Sequence, residues 1–121
     1  MFARMVRKDD DVPGEPSHFE VGVPDAARAK AFYGELFGWS FTPTRGELAW
    51  IETPGVRGGL HDEDDACNIV VYFRVDDIEA AVRRVRELGG TADAPGPAEQ
   101  GGRFASCRDD QGVEFGLHEP G

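Results

Sequence analysis

Three histidines carry most of the chemistry this chain could perform: His18, His61 and His118. Imidazole is the side chain whose ordinary titration range overlaps physiological pH, so it serves as acid, base, metal ligand or hydrogen-bonding group. Each lies in a strand-like run with a polar or aromatic residue at even spacing: His18 with Glu20, His61 two beyond Gly59, and His118 with Gly116 and Glu114. Side chains alternate along a strand, so residues two apart share a face. If position 18 faces a cavity, Glu20 faces it too. A run through Val70 likewise carries Tyr72 and Arg74 on one face. Arg74 on an inward face would be costly to bury alone, so it meets a carboxylate such as Glu20 or Glu114, or an anionic group of a ligand.

These residues belong to a sequence that contains itself twice. His18–Gly38 aligns with Val70–Gly90 at an offset of 52 positions, matching Val23 to Val75, Asp25 to Asp77, Ala29 to Ala81, Glu35 to Glu87, Leu36 to Leu88 and Gly38 to Gly90. Each copy opens with a strand, His18–Val23 or Ile69–Val75, and continues into an amphipathic helix. Asp25 after Pro24 is the expected N-cap of the first helix, and Asp76 with Glu79 reads as a capping box for the second. Ala29, Phe32, Tyr33, Leu36 and Phe37 fall on one helical face, as do Ile78, Ala81, Val82, Val85 and Leu88. Gly38 and the pair Gly89–Gly90 supply the stops. Short β-prone segments follow, 39–43, 47–52 and 57–61 in the first copy and 91–93, 102–108 and 113–118 in the second. The expected fold class is therefore α+β, two tandem βαβββ modules, about 17–61 and 69–119, forming curved mixed sheets around a cavity. Neither module could bury its sheet face alone, so residues 17–121 are expected to fold as one domain behind a flexible arm, residues 1–16.

The run HFEVGVPDAARAKAFYGELFGW resembles the opening strand and helix of the vicinal oxygen chelate superfamily, the glyoxalase, bleomycin-resistance and extradiol-dioxygenase group. VYFRVDDIEAAVRRVRELGG resembles the start of its second module, and GGRFASCRDDQGVEFGLHEP its last hairpin, with Asp109-Asp110-Gln111-Gly112 in the turn. The resemblance covers residues 17–119. It implies sheets cupped around a small-molecule cavity, homodimers and, in the metalloenzymes, a divalent metal held by four His or Glu side chains on the first and last strands of the modules. Only His18 fills such a position. Val70, the region of Gly59, and Gly116 cannot ligate, and a catalytic metal needs several convergent donors. The expectation is thus no resident metal or other cofactor, with His18 as the catalytic candidate and Glu20, His61, Tyr72, Arg74, Glu114 and His118 lining a ligand pocket. The alternative is a metal-dependent lyase, isomerase or dioxygenase with shifted ligands, drawn from the three histidines with Glu20 or Glu114. Trp39, Trp50, Phe73, Phe104 and Phe115 read as core or interface aromatics.

Bulk composition narrows the partners. With 23 Asp and Glu against 13 Lys and Arg the chain carries a net charge of −10, which disfavours a surface built to neutralise nucleic acid. No run is long and apolar enough for a membrane span or a signal peptide, and Cys67 and Cys107 lack metal-ligand spacing and read as reduced thiols. The partners expected are a small-molecule ligand and a second copy of the chain, with no nucleic acid and no membrane, in the cytoplasm. The segment Asp93–Gly102, rich in Gly, Pro and Ala, reads either as a flap over the pocket or as a plain connector.

Overall fold

A computed structural model describes residues 12–46, 48–62, 65 and 67–121. Two copies of one pattern follow each other. The first is β1 (Pro16–Gly22), α1 (Ala26–Phe37), β2 (Ser40–Arg45), β3 (Leu48–Glu52) and β4 (Gly58–His61). The second is β5 (Asn68–Arg74), α2 (Ile78–Glu87), β6 (Thr91–Ala92), β7 (Arg103–Arg108) and β8 (Glu114–Glu119). Among the described residues all strands join one eight-stranded sheet in the order β2-β3-β4-β1-β5-β8-β7-β6. That order is the same from either end: each module runs outward from its first strand, and the antiparallel pair β1·β5 forms the seam. β1·β4 and β5·β8 are the parallel pairs. The expected α+β architecture of two βαβββ modules is what the chain adopts.

Period-two alternation divides this sheet into two unlike faces. Phe19 and Val21 of β1, Ile51 of β3 and Leu60 of β4 pack with Ala26 and Ala29 of α1 into one core. Ala105 and Cys107 of β7 and Leu117 of β8 pack with Ile78 and Val82 of α2 into the other. The helix side thus holds both apolar cores, while His18, Glu20, Trp50, Tyr72 and His118 occupy intervening positions and meet one another on the opposite face. A sheet with one apolar and one polar face must have its apolar side covered by another layer, and here the two helices supply it.

Local chemistry fixes the helix ends. Asp25 caps α1 by accepting from the Arg28 backbone N–H at 3.1 Å, and Gly38 closes it in the left-handed region, φ +76°, where glycine has no Cβ penalty. In α2 the cap is Asp77, which accepts from Ala80 N–H at 3.1 Å, rather than the expected Asp76 with Glu79. Glu79 instead reaches Arg103 of β7 at 3.0 Å, so the capping box never closes. The expected apolar face of α1 is also only partly buried. Ala26 and Ala29 face the core with Tyr33 beside them, whereas Phe32, Leu36 and Phe37 are exposed. Of the expected arm, residues 1–11 lie outside the described residues. The following stretch is tied down: Gly14 N–H donates to Arg74 O and Arg74 N–H to Glu15 O, each at 2.8 Å. Neither cysteine is held in a disulfide; Cys67 is exposed and Cys107 buried.

One packing detail joins sheet and site. A Cβ placed on Gly116 of β8 would lie 2.0 Å from the Tyr72 ring, an overlap no side chain tolerates. Gly116→Ala is therefore expected to destabilise the protein by about 1–3 kcal/mol, the usual cost of overpacking, seen as a lower urea midpoint with an unchanged slope.

Candidate functional site

The polar face is organised around a carboxylate. Glu20 on β1 stands opposite Gly59 on β4, and a Cβ on Gly59 would lie 2.6 Å from its Oε1. The glycine therefore makes the space the carboxylate fills. Glu20 Oε2 is hydrogen-bonded to His18 Nε2 and Oε1 to His61 Nε2. Ionised carboxylate oxygens only accept, so the proton of each contact resides on the imidazole. Burial works to raise the Glu20 pKa, but hydrogen bonds from His18 and His61, with their charge, outweigh it and bring the group from 4.5 to about 2. The carboxyl is ionised at any physiological pH.

The two imidazoles differ in access. His18 is 4% exposed and His61 52% exposed, with Glu20 between them at 20%. His18 is enclosed by the rings of Trp50, Tyr72, Phe104 and His118, with centroids 4.7–6.1 Å away. His18, the catalytic candidate by position, thus lies behind the carboxylate, and His61 is the imidazole a solute would meet. Two cavities of roughly 340 and 300 Å³ adjoin at Glu20 and His61. The first adds Leu48, Trp50, Leu60 and Glu99. The second adds Asn68, Tyr72, Ser106, Arg108 and Glu114.

The sequence-derived candidates therefore fall into two groups. Glu20, His61, Tyr72 and Glu114 line the cavities. Tyr72 keeps its phenol proton, because burial pushes its pKa up and the Glu20 charge adds to this against a lowering hydrogen bond from Ser106. Glu114 accepts from Asn68 Nδ2–H at 3.2 Å. His18, Arg74 and His118 are not among the side chains lining either cavity. His118 is buried, stacked on Phe104 with 4.6 Å between centroids, and burial pushes its pKa down, with the charge of Arg74 adding to this. Trp50 and Phe104, expected as core or interface aromatics, enclose His18. Trp50 pairs with Gly59 across β3·β4, so it shares the face of Glu20; that parity was the signal available for it. Ser106 and Asn68 likewise follow from strand parity, while Glu99 lies in a loop and carried none.

The superfamily implies a divalent metal, so the donors must be tested against one. Among the described residues no group of three or more His, Cys, Asp or Glu is placed to hold a metal ion. Both Nε2 atoms are engaged with the Glu20 carboxylate, and the space at Gly116 is filled by the Tyr72 ring. The residues do not fit the four-ligand centre.

Comparisons with known proteins agree with the architecture. The glyoxalase-like domain family matches residues 18–118. The anthracycline biosynthesis protein DnrV of Streptomyces peucetius is 32% identical over 132 residues, covering 90% of this chain and 48% of DnrV; the chain spans about half the length of such curated relatives. Methylmalonyl-CoA epimerase from Mycobacterium tuberculosis superposes with a TM-score of 0.70 at 19% identity, over 96% of this chain and 94% of the epimerase. A glyoxalase/bleomycin resistance protein/dioxygenase superfamily member from Vibrio splendidus 12B01 gives 0.62 at 17% identity, over 84% and 95%. These two likenesses show a shared fold. No helix among the described residues is long and apolar enough to cross a membrane.

The depressed pKa of Glu20 has a signed consequence for stability. Its folded value, about 2, lies below the ordinary 4.5, so its contribution is full above about pH 4.5 and disappears as pH falls toward 2. Urea unfolding at pH 7, 4 and 2.5 is expected to show wild type more stable than Glu20→Gln at pH 7, with the gap narrowing steadily on acidification. A gap independent of pH would contradict the assignment.

Proposed function

The chain belongs to the glyoxalase-like domain family of the vicinal oxygen chelate superfamily, and from that premise we propose that it binds a small organic molecule in the two adjoining cavities without a resident divalent metal. The observation that carries this reading is the Glu20 carboxylate lodged between two imidazoles in the space left by Gly59. An internal anion there satisfies both histidines with hydrogen bonds, and the cavities beside it have the volume of ordinary small-molecule sites. His61 is the side chain that meets the ligand first. Trp50 and Leu48 offer an apolar surface on one side of it, and Asn68, Ser106 and Arg108 offer donors on the other. Relatives named for anthracycline biosynthesis and neighbours named as methylmalonyl-CoA epimerases support a small organic ligand; fold alone assigns no reaction.

A second reading, a metal-dependent lyase, isomerase or dioxygenase with shifted ligands, draws on the same trio, two imidazoles and one carboxylate. The proposal further includes a homodimer, for which the exposed Phe32, Leu36 and Phe37 of α1 provide apolar surface, and a cytoplasmic location, in keeping with two cysteines held in no disulfide.

Elemental analysis of protein purified without chelator, with native mass spectrometry of the same sample, separates the readings. The expected result is far less than one equivalent of Ni, Zn, Fe or Mn, and a co-purifying organic molecule whose occupancy drops roughly tenfold in His61→Ala, as for loss of one strong polar contact. Near-stoichiometric, tightly held metal would sink the metal-free reading.

A further inference from the structure

The segment between β6 and β7 is held by more than its own backbone. Asp93 N–H donates to Ser106 O at 2.9 Å and Gly96 N–H to Phe104 O at 2.9 Å. Glu99 and Gly102 exchange N–H···O bonds at 3.0 and 2.9 Å, closing a small hairpin. Its tip lies against the first module: a Cβ on Gly101 would come within 3.3 Å of the edge of Trp50, and Glu99 and Trp50 line the larger cavity together. A loop of module two thus forms a wall of a cavity in module one.

One side chain pins that tip. His118 Nε2 is 2.7 Å from the Gly101 carbonyl oxygen, and a carbonyl can only accept, so Nε2 carries the proton. Nδ1 is 2.7 Å from Ser17 Oγ and in the neutral ring accepts the hydroxyl proton. Both nitrogens are used, the ring is buried, and its plane is fixed by stacking at 2° on Phe104. We propose that His118 is the positioning residue that holds the Glu99–Gly102 hairpin against Trp50, so that opening the Nε2–H···O bond to Gly101 exposes this wall of the cavity to an entering solute. Gly102 at the base of the hairpin is packed against Glu119–Gly121, whereas the tip at Gly101 is met by the His118 imidazole and the edge of Trp50. Loss of the His118 bond therefore loosens the tip while the base of the hairpin and both cores stay packed. The consequence for ligand entry rests on the cavity reading above; the pin itself does not.

The test uses the full chain without added ligand. Amide exchange by NMR reads the Glu99 and Gly102 N–H groups, and acrylamide, a small neutral quencher, reads access to Trp50 in a Trp39→Phe background. His118→Phe preserves an aromatic ring beside Phe104 and removes the donor. It is expected to speed exchange at both amides roughly three- to tenfold, the range set by one net hydrogen bond, and to increase quenching. His118→Gln, which can still donate to the Gly101 carbonyl, is expected to return both toward wild type, a rescue that simple loss of packing would not give. Unchanged exchange and quenching in His118→Phe, with the Ile51 and Ile78 amides still protected, overturns the proposal. Nitrogen-15 shifts of His118 in the unmodified protein decide the matter even if that variant fails to fold: a proton on Nε2 supports the pin, and its absence overturns it. Absence of any co-purifying molecule would count against the binding reading alone.

Discussion

The functional face depends on one contact set, the Glu20 carboxylate between His18 and His61. A buried anion without donors would be costly, and a pair of imidazoles turned toward each other without an acceptor would leave their N–H groups unsatisfied. Together they resolve both problems, provided that there is space for a carboxylate above β4. Gly59 provides it. Any side chain there would displace Glu20, and the two histidines would lose their common acceptor. The rest of the face follows: His18 is held in its ring enclosure, His61 remains at the junction of two cavities, and Glu20 stays ionised.

The second module repeats the geometry with different chemistry. Tyr72 faces Gly116 as Glu20 faces Gly59, and Arg74 pairs with His118 across β5·β8 as Gly22 pairs with His61 across β1·β4. Where the first module has a carboxylate, the second has a ring with a phenol; where His61 is open to solute, His118 is buried and engaged by Ser17 and Gly101. Both halves of the duplicated frame thus line the cavities, but His61 borders them while His118 braces the frame behind. That division explains why a single fold supplies both a polar site and a rigid wall without a third element.

Much of this could be read from the residues, and the failures have physical causes. Strand positions, the duplication and the sharing of one face by His18, Glu20, Tyr72 and Gly116 follow from period two and an offset of 52. The glycine gaps read only as missing ligands; that a neighbouring strand fills them is a matter of lateral register, which no single strand encodes. Ser17 was invisible for a related reason. It alternates with His18, but the pairing shifts between Pro16 and His18, and the irregularity lets Ser17 reach His118. Capping of α2 went to Asp77, the residue that the 52-position offset pairs with the Asp25 cap of α1, and Glu79 reaches Arg103 instead. Access also depends on depth, which a single strand does not encode: His18 at the family position is enclosed, and His61 at a strand end is exposed.

The polarity of this face is tolerable because the face is not what stabilises the fold. Both apolar cores lie on the helix side, where Ile51, Ile78 and Val21 are nearly inaccessible, and burial there supplies the favourable term. The opposite face can then carry charge, provided each buried group has a partner. Glu20 has two imidazoles, His118 has Ser17 and Gly101, and Tyr72 has Ser106. What remains unfilled beside them is the pair of cavities, bounded by groups whose hydrogen bonds hold them in place before any ligand arrives. Preorganisation of this kind lowers the ordering cost of the binding proposed above, and it follows from Gly59 and the Glu20 carboxylate it accommodates.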